Sequence, residues 1–181
     1  VGYMKLLLVA GNGLWKHITL NSPTYHRHSD YVVSRARDGH PLVTIHKERV
    51  RVSTLDDDIQ DLIYETSPEL REQKEWLREA DIYSVCTLEV RDRERVWHYW
   101  QEYNGEYLEG TGITTSYNDC PMWPGWLIPV YGDNWGRSYC EEYQGDLYTI
   151  EANASALNDI AALAAWSLTF VKPGVRTSIR Q

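Results

Sequence analysis

Residues 82–105 read IYSVCTLEVRDRERVWHYWQEYNG, and the order of strand and helix in this stretch decides how the chain folds. Ile82 to Val90 is rich in β-branched and apolar residues, which suit a pleated, half-buried surface and predict a central strand. The alternating charges Arg91, Asp92, Arg93, Glu94 and Arg95 then read as a solvated, mixed-charge face. Beyond them Asp92 is placed to cap a helix whose apolar stripe is Val96, Tyr99, Trp100 and Tyr103, spaced as one side of an α-helix. Gly105 ends it.

Near the start of the chain, Tyr3 to Ala10 reads as a buried strand. Gly11-Asn12-Gly13 then forms a three-residue hairpin connection that returns Leu14 to Leu20, with Trp15, His17 and Thr19 facing away from Leu14, Ile18 and Leu20. Tyr31 to Arg37 is too short to separate a helical period from a strand period. Leu42 to Ser53 alternates and predicts strand, turn, strand, with Lys47-Glu48-Arg49 at the hairpin tip. Thr54 opens a capping pattern with Asp57, and Asp56 to Asp58 set negative charge against the positive end of a helix dipole. Ser67-Pro68-Glu69 starts a surface helix expected to run to about Ala80. Toward the other end, glycines and prolines punctuate residues 106–148. Within and beyond that span, Trp126 to Tyr131 and Asp146 to Glu151 are the expected strands. Ser155 then caps a helix, Ala156 to Val171, with no charge after Asp159, which predicts burial between other elements. The sum is a single α+β domain over residues 1–181, with an antiparallel sheet packed against three to four helices.

Composition narrows function by exclusion. The net charge of −8 disfavours direct binding to phosphate backbones, which needs clustered cations. An acidic surface suits instead a basic protein partner, such as a DNA-binding enzyme. The apolar runs Leu6 to Ala10 and Ile160 to Val171 are too short for a signal-peptide core and a membrane span respectively. Cys86, Cys120 and Cys140 form no CxxC pair, so a reducing, cytoplasmic setting is expected, with no structural zinc. Eight Trp and thirteen Tyr accompany a single Phe. Rings with a hydrogen-bonding tip are favoured at interfaces, and Trp100, Tyr103, Tyr107, Trp123, Trp126 and Trp135 are the candidate binding residues. Asp56 to Asp58 form a second candidate patch, or serve only to cap their helix.

The histidines offer a competing site. Five of the six precede Lys47, and His26-Arg27-His28-Ser29-Asp30 is an H-x-H-x-D string able to offer two imidazoles and a carboxylate to a divalent metal. It resembles the first metal-binding motif of the metallo-β-lactamase fold, with Tyr31 standing where that family has a further histidine. His26, His28 and Asp30, with His98 as a further participant, are therefore the candidate residues of a small metal- or histidine-dependent hydrolase or lyase. The alternative is that they are ordinary loop histidines beside arginines. No glycine-rich phosphate loop or G-x-S-x-G elbow occurs.

In the second half, Tyr99-Trp100-Gln101-Glu102-Tyr103-Asn104-Gly105-Glu106-Tyr107, the aromatic short strands and the Ser155 helix through Phe170 resemble the order of elements in the ArdB/KlcA antirestriction family. That resemblance implies a counter-defence inhibitor carried by a mobile element. Three readings therefore stand. The preferred one is an acidic, Tyr/Trp-rich module that binds another protein, without a cofactor. The second is the metal-dependent enzyme. The third is a virion or assembly component that acts by self-association as a homo-oligomer.

Overall fold

The computed structural model describes residues 2–18, 23–74 and 77–166. The chain divides into two compact units, Val1–Glu142 and Tyr143–Gln181. In the first, the elements run α1 (Gly2–Ala10), β1 (Asn12–Lys16), β2 (Thr24–Arg27), β3 (Tyr31–Arg35), β4 (Pro41–Arg51), α2 (Asp57–Thr66), α3 (Glu69–Glu72), β5 (Glu79–Arg91), β6 (Glu94–Tyr103), β7 (Glu106–Tyr107), β8 (Ile113–Ser116), β9 (Met122–Trp126) and α4 (Tyr139–Glu142). The second unit contains α5 (Gln144–Ala165). The α+β class is as expected.

The decisive stretch is a β-hairpin rather than a strand and a helix. Arg91 pairs with Glu94 and the ladder continues to Tyr83 opposite Glu102. Asp92 and Arg93 take φ of 51° and 70°, the left-handed pair that a two-residue turn needs to match the twist of its strands. Inside β6 the burial period is two: Trp97, Tyr99 and Tyr103 are buried, while Val96, His98, Trp100 and Glu102 are partly exposed. Aromatic and β-branched side chains lose rotamer freedom in a helix and pack well on a pleat, so the charged boundary turned the chain instead of capping a helix. Asn104 and Gly105, at φ of 48° and 84°, repeat the device between β6 and β7.

The large sheet has the order β3-β4-β5-β6-β7, with β8 pairing β6, and the small sheet is β2-β1-β9. All pairings are antiparallel. Leu14 and Met122 of the small sheet meet Tyr31, Val33, Cys86, Trp97 and Tyr99 of the large one, with Cys120, in the main core. A second core joins Val52, Ile63, Ala80, Ile82, Tyr103 and Leu108 under α2.

Several local expectations are corrected. Tyr3 to Ala10 is helix α1, because Met, Lys, Leu and Ala are strong helix formers and a short apolar run does not show its period. Gly11, at φ +71°, closes that helix; its N–H donates to the Leu7 carbonyl at 2.8 Å. Asn12 and Gly13 belong to β1. Lys47-Glu48-Arg49 lies within the unbroken strand β4, paired along its length with β5. Tyr31 to Arg35 is a strand. The Ser67 helix is one turn, Glu69–Glu72, since the chain must reach the start of β5 at Glu79. The strand expected from Trp126 ends there instead: β9 is Met122–Trp126. Asp146 to Glu151 and Ser155 both lie inside α5, which within its own unit buries no residue. Thr19, Leu20 and residues 167–171 lie outside the described residues. Among the described residues no helix is long and apolar enough to cross a membrane.

Candidate functional site

The small sheet rests on the large one through polar side chains that alternate inward from four strands. His46, Ser84 and Gln101 occupy opposed positions on β4, β5 and β6. Lys16, the last residue of β1, is 8% exposed and reaches into this row. Its Nζ donates to Ser84 Oγ at 3.0 Å and to Glu48 Oε2 at 3.3 Å, so a buried cation has both an anion and a hydroxyl, as burial requires. Tyr99 OH and Gln101 Nε2 donate to the same Ser84 Oγ at 3.2 and 3.4 Å. Three donors converge on one hydroxyl oxygen. The arrangement fastens the two sheets together. Tyr99→Phe removes one of three donors and should cost about 1 kcal/mol in urea unfolding, with no change in secondary structure by circular dichroism.

Beside this fastening, His26 of β2 lies against His46, ring centroids 3.9 Å apart. His26 Nε2 is 2.9 Å from Thr24 Oγ1. His46 is fully buried, and among the described residues its Nδ1 has no hydrogen-bond partner. Burial pushes His46 down to about 4, with His26 and Lys16 acting in the same direction and Glu48 and Asp30 opposing. Burial also lowers His26. The pair floors an open cleft of about 390 Å³ rimmed by Asp30, Lys47, Glu48 and Asp81. On the outer side of β4, Asp81 accepts from Lys47 at 2.7 Å and Arg49 at 2.9 Å, and these cations hold its carboxyl at about 2.

Among the described residues, the alternative metal cluster of His26, His28 and Asp30 is not assembled. His28 is exposed on a turn, Asp30 accepts from the Ser29 hydroxyl at 2.8 Å, and His98 stands on β6 beside Trp100 and Thr114. Among the described residues no group of three or more His, Cys, Asp or Glu side chains is placed to hold a metal ion. The partner of His26 is His46, twenty positions away in sequence, and only the packing of one sheet on the other brings them together. Lys16, Ser84 and Gln101 carry no motif, and inward parity was their signal.

The six candidate binding aromatics are also dispersed. Tyr103 is buried in the second core, donating to Ser67 Oγ at 2.8 Å. Trp100 is half-buried on the opposite side of β6, donating to Glu102 at 2.6 Å. Trp126 lies under the Arg35 guanidinium at 3.9 Å, and Trp135 packs on Tyr31. Tyr107 and Trp123 are exposed. Asp56 to Asp58 are exposed at the start of α2, with no side-chain cap from Asp56. Trp123 has neighbours the sequence did not single out: it pairs with Trp15, which pairs with Tyr25. The three exposed rings line one face of the small sheet, and Tyr3 of α1 stacks on Tyr25 at 5.3 Å.

No family model matches the chain. It is 26% identical over 182 residues to the portal protein of Enterobacteria phage T3, and 26% identical over 183 residues to the portal protein of Escherichia phage T7. Each match covers 98% of this chain and 33% of the relative. A stretch of 49 residues is 39% identical to the portal protein of Enterobacteria phage SP6, covering 27% of this chain and 10% of that protein. The chain thus spans about a third of the length of the curated relatives it matches over nearly its whole extent. These similarities overturn the antirestriction resemblance: the relatives are portal proteins, not members of the ArdB/KlcA family. The likeness to that family rested on a helix over residues 92–105 that is a strand hairpin, and on a Tyr-Asn-Gly segment that is a hairpin turn. The counter-defence inhibitor reading falls with it, and so does the hydrolase or lyase alternative.

Proposed function

We propose that the chain is a segment of a phage portal-type protein and works as a structural assembly element that contacts further copies of itself. The observation that carries this reading is the colinear similarity of 98% of the chain to portal proteins of two phages. The composition of α5 supports the self-contact. Leu147, Ile150, Ala154, Leu157, Ala161 and Ala164 recur at heptad spacing along it, and Leu147, Ile150 and Leu157 are 50–66% exposed. Such a stripe on a helix wants a facing helix, and its alanines permit close approach. Assembly in a reducing cytoplasm accords with three unpaired thiols.

Native mass spectrometry of the purified chain tests the proposal. Species containing more than one copy are expected, and Leu157→Asp with Ile150→Asp should shift them at least tenfold toward monomer, because each buries a charge in an apolar seam. A monomer at every concentration, or oligomers indifferent to both substitutions, would sink it.

A further inference from the structure

The β5–β6 hairpin reaches past its neighbours. β4 accompanies β5 only as far as Thr87, and β8 accompanies β6 only from Val96. The last two pairs of the ladder, Val90 with Arg95 and Arg91 with Glu94, therefore have no third strand beside them among the described residues. A bare two-stranded ribbon is marginal in water on its own, and this one carries an uncovered apolar side chain, Val90, at 72% exposure. Of its cations, Arg91 pairs with Glu89 at 3.0 Å and Arg95 lies over the Tyr117 ring at 5.7 Å. Arg93, on the turn itself, is exposed and makes no ion pair among the described residues. At the opposite end of β5 lies a cleft of about 420 Å³ whose lining includes Glu69, Leu70, Glu79, Tyr83, Tyr103 and Asn104. Arg49, the one cation of that lining, is already held by Asp81 at 2.9 Å, whereas Glu69 and Glu79 make no ion pair among the described residues. The Tyr103 hydroxyl and the Asn104 amide donate to Ser67 Oγ at 2.8 and 3.4 Å, which leaves both oxygens as acceptors. The cleft is thus rich in acceptors and short of donors, with Leu70 and the exposed Tyr83 ring as its apolar part.

We propose that the β5–β6 arm of one copy docks in this cleft of a second copy, with Arg93 set between Glu69 and Glu79 and Val90 against Leu70 and Tyr83. The inference rests on the self-assembly put forward above and names a surface for it. A guanidinium presents five donors and no acceptor, which is what a pair of carboxylates beside free hydroxyl and amide oxygens requires. Its neighbours Asp92 and Glu94 find their cation in Arg49 of the lining. The occupant is another copy because of length. β5 has 13 residues, which sets its ends about 40 Å apart, so a chain cannot place its own arm in its own cleft. The two surfaces differ, so the contact is head-to-tail: each copy offers an arm to one neighbour and a cleft to another.

A charge-swap experiment on the whole chain tests the contact. Association is followed by native mass spectrometry and sedimentation at physiological ionic strength, for Arg93→Glu and for Glu69→Arg combined with Glu79→Arg. All three positions are exposed, so both variants should keep the native circular dichroism. Each alone should associate at least tenfold more weakly than the native chain, since it sets like charges together in every copy-to-copy contact. An equal mixture of the two should regain association, in species that contain both masses, because each arm then meets a cleft of opposite charge. Arg93→Glu associating as the native chain does, or a mixture no stronger than its components, would overturn the proposal. If the α5 substitutions Ile150→Asp and Leu157→Asp still dissociate the assembly in that case, self-assembly stands and only this contact falls. A native chain that stays monomeric at every concentration removes both.

Discussion

Trp97→Ala should destabilise the first unit by about 3–5 kcal/mol, the usual cost of emptying a large aromatic site. Trp97 is fully buried, packs among Leu14, Tyr99, Cys120 and Met122, and donates its indole N–H to the Tyr117 carbonyl at 3.0 Å. The truncation opens a cavity between the sheets and orphans that carbonyl. Against a total stability of about 5–15 kcal/mol for an ordinary domain, this removes a large share of what holds the unit folded. The same experiment separates strand from helix over residues 94–103. Val96 belongs to the stripe that a helix would bury, whereas in β6 it is only half-buried. Val96→Ala should therefore cost under about 1 kcal/mol by the same urea midpoint. Equal costs at 96 and 97 would contradict the pleated arrangement.

The second large effect is a pH dependence centred on His46. Unfolded, its imidazole takes a proton near the ordinary value of about 6.5; folded, burial and the neighbouring His26 and Lys16 hold it to about 4. Between those values the unfolded chain binds the extra proton, so stability is fully present above about 6.5 and is lost as pH falls toward 4. At about 1.4 kcal/mol per unit the loss reaches about 3 kcal/mol. Carboxylates titrate over the same window, so the comparison with His46→Leu isolates the effect. Because His46 Nδ1 has no hydrogen-bond partner among the described residues, an apolar replacement breaks no bond seen at that atom. Urea unfolding from pH 7.5 to 4.5 should show a steeper fall for the native chain than for the variant. Parallel profiles would show that His46 is not the group responsible.

The parts of the fold legible in the residues were those where one period dominates. Ile82 to Val90 read correctly as a strand because its β-branched and apolar residues have one natural use. The strand boundary at Arg91–Arg95 failed because alternating charges look alike at a helix start and a hairpin tip; only the period of two running through Trp97, Tyr99 and Tyr103 distinguishes them. Tyr3 to Ala10 failed for the opposite reason, since a short uniformly apolar run carries no period at all. The site was less legible still. Histidines adjacent in sequence, His26 and His28, part company, and His26 meets His46 across a sheet junction. Lys16, Ser84, Tyr99 and Gln101 come from three strands, and no spacing along the chain brings them together. The aromatic excess was a sound clue to where the core and the surface compete for rings. Trp15 was placed on the face away from Leu14, but its row with Tyr25 and Trp123 exists only once β9 has joined β1.

That joining has a kinetic meaning. β2 lies near β1 in the chain, but β9 arrives only after the whole large sheet has been synthesised. Until residues 122–126 emerge, Leu14 has no Met122 to cover it and one edge of β1 stays unpaired. The large sheet pairs strands that are sequence neighbours from β3 to β7, by short turns except where residues 52–78 carry α2 and α3 between β4 and β5, whereas the small sheet must join β1 to β9 across all of them. The order of assembly follows: meander first, then β9 sealing β1 as the rate-limiting step. A nascent chain stopped before Met122 would expose an edge strand open to pairing with its neighbours.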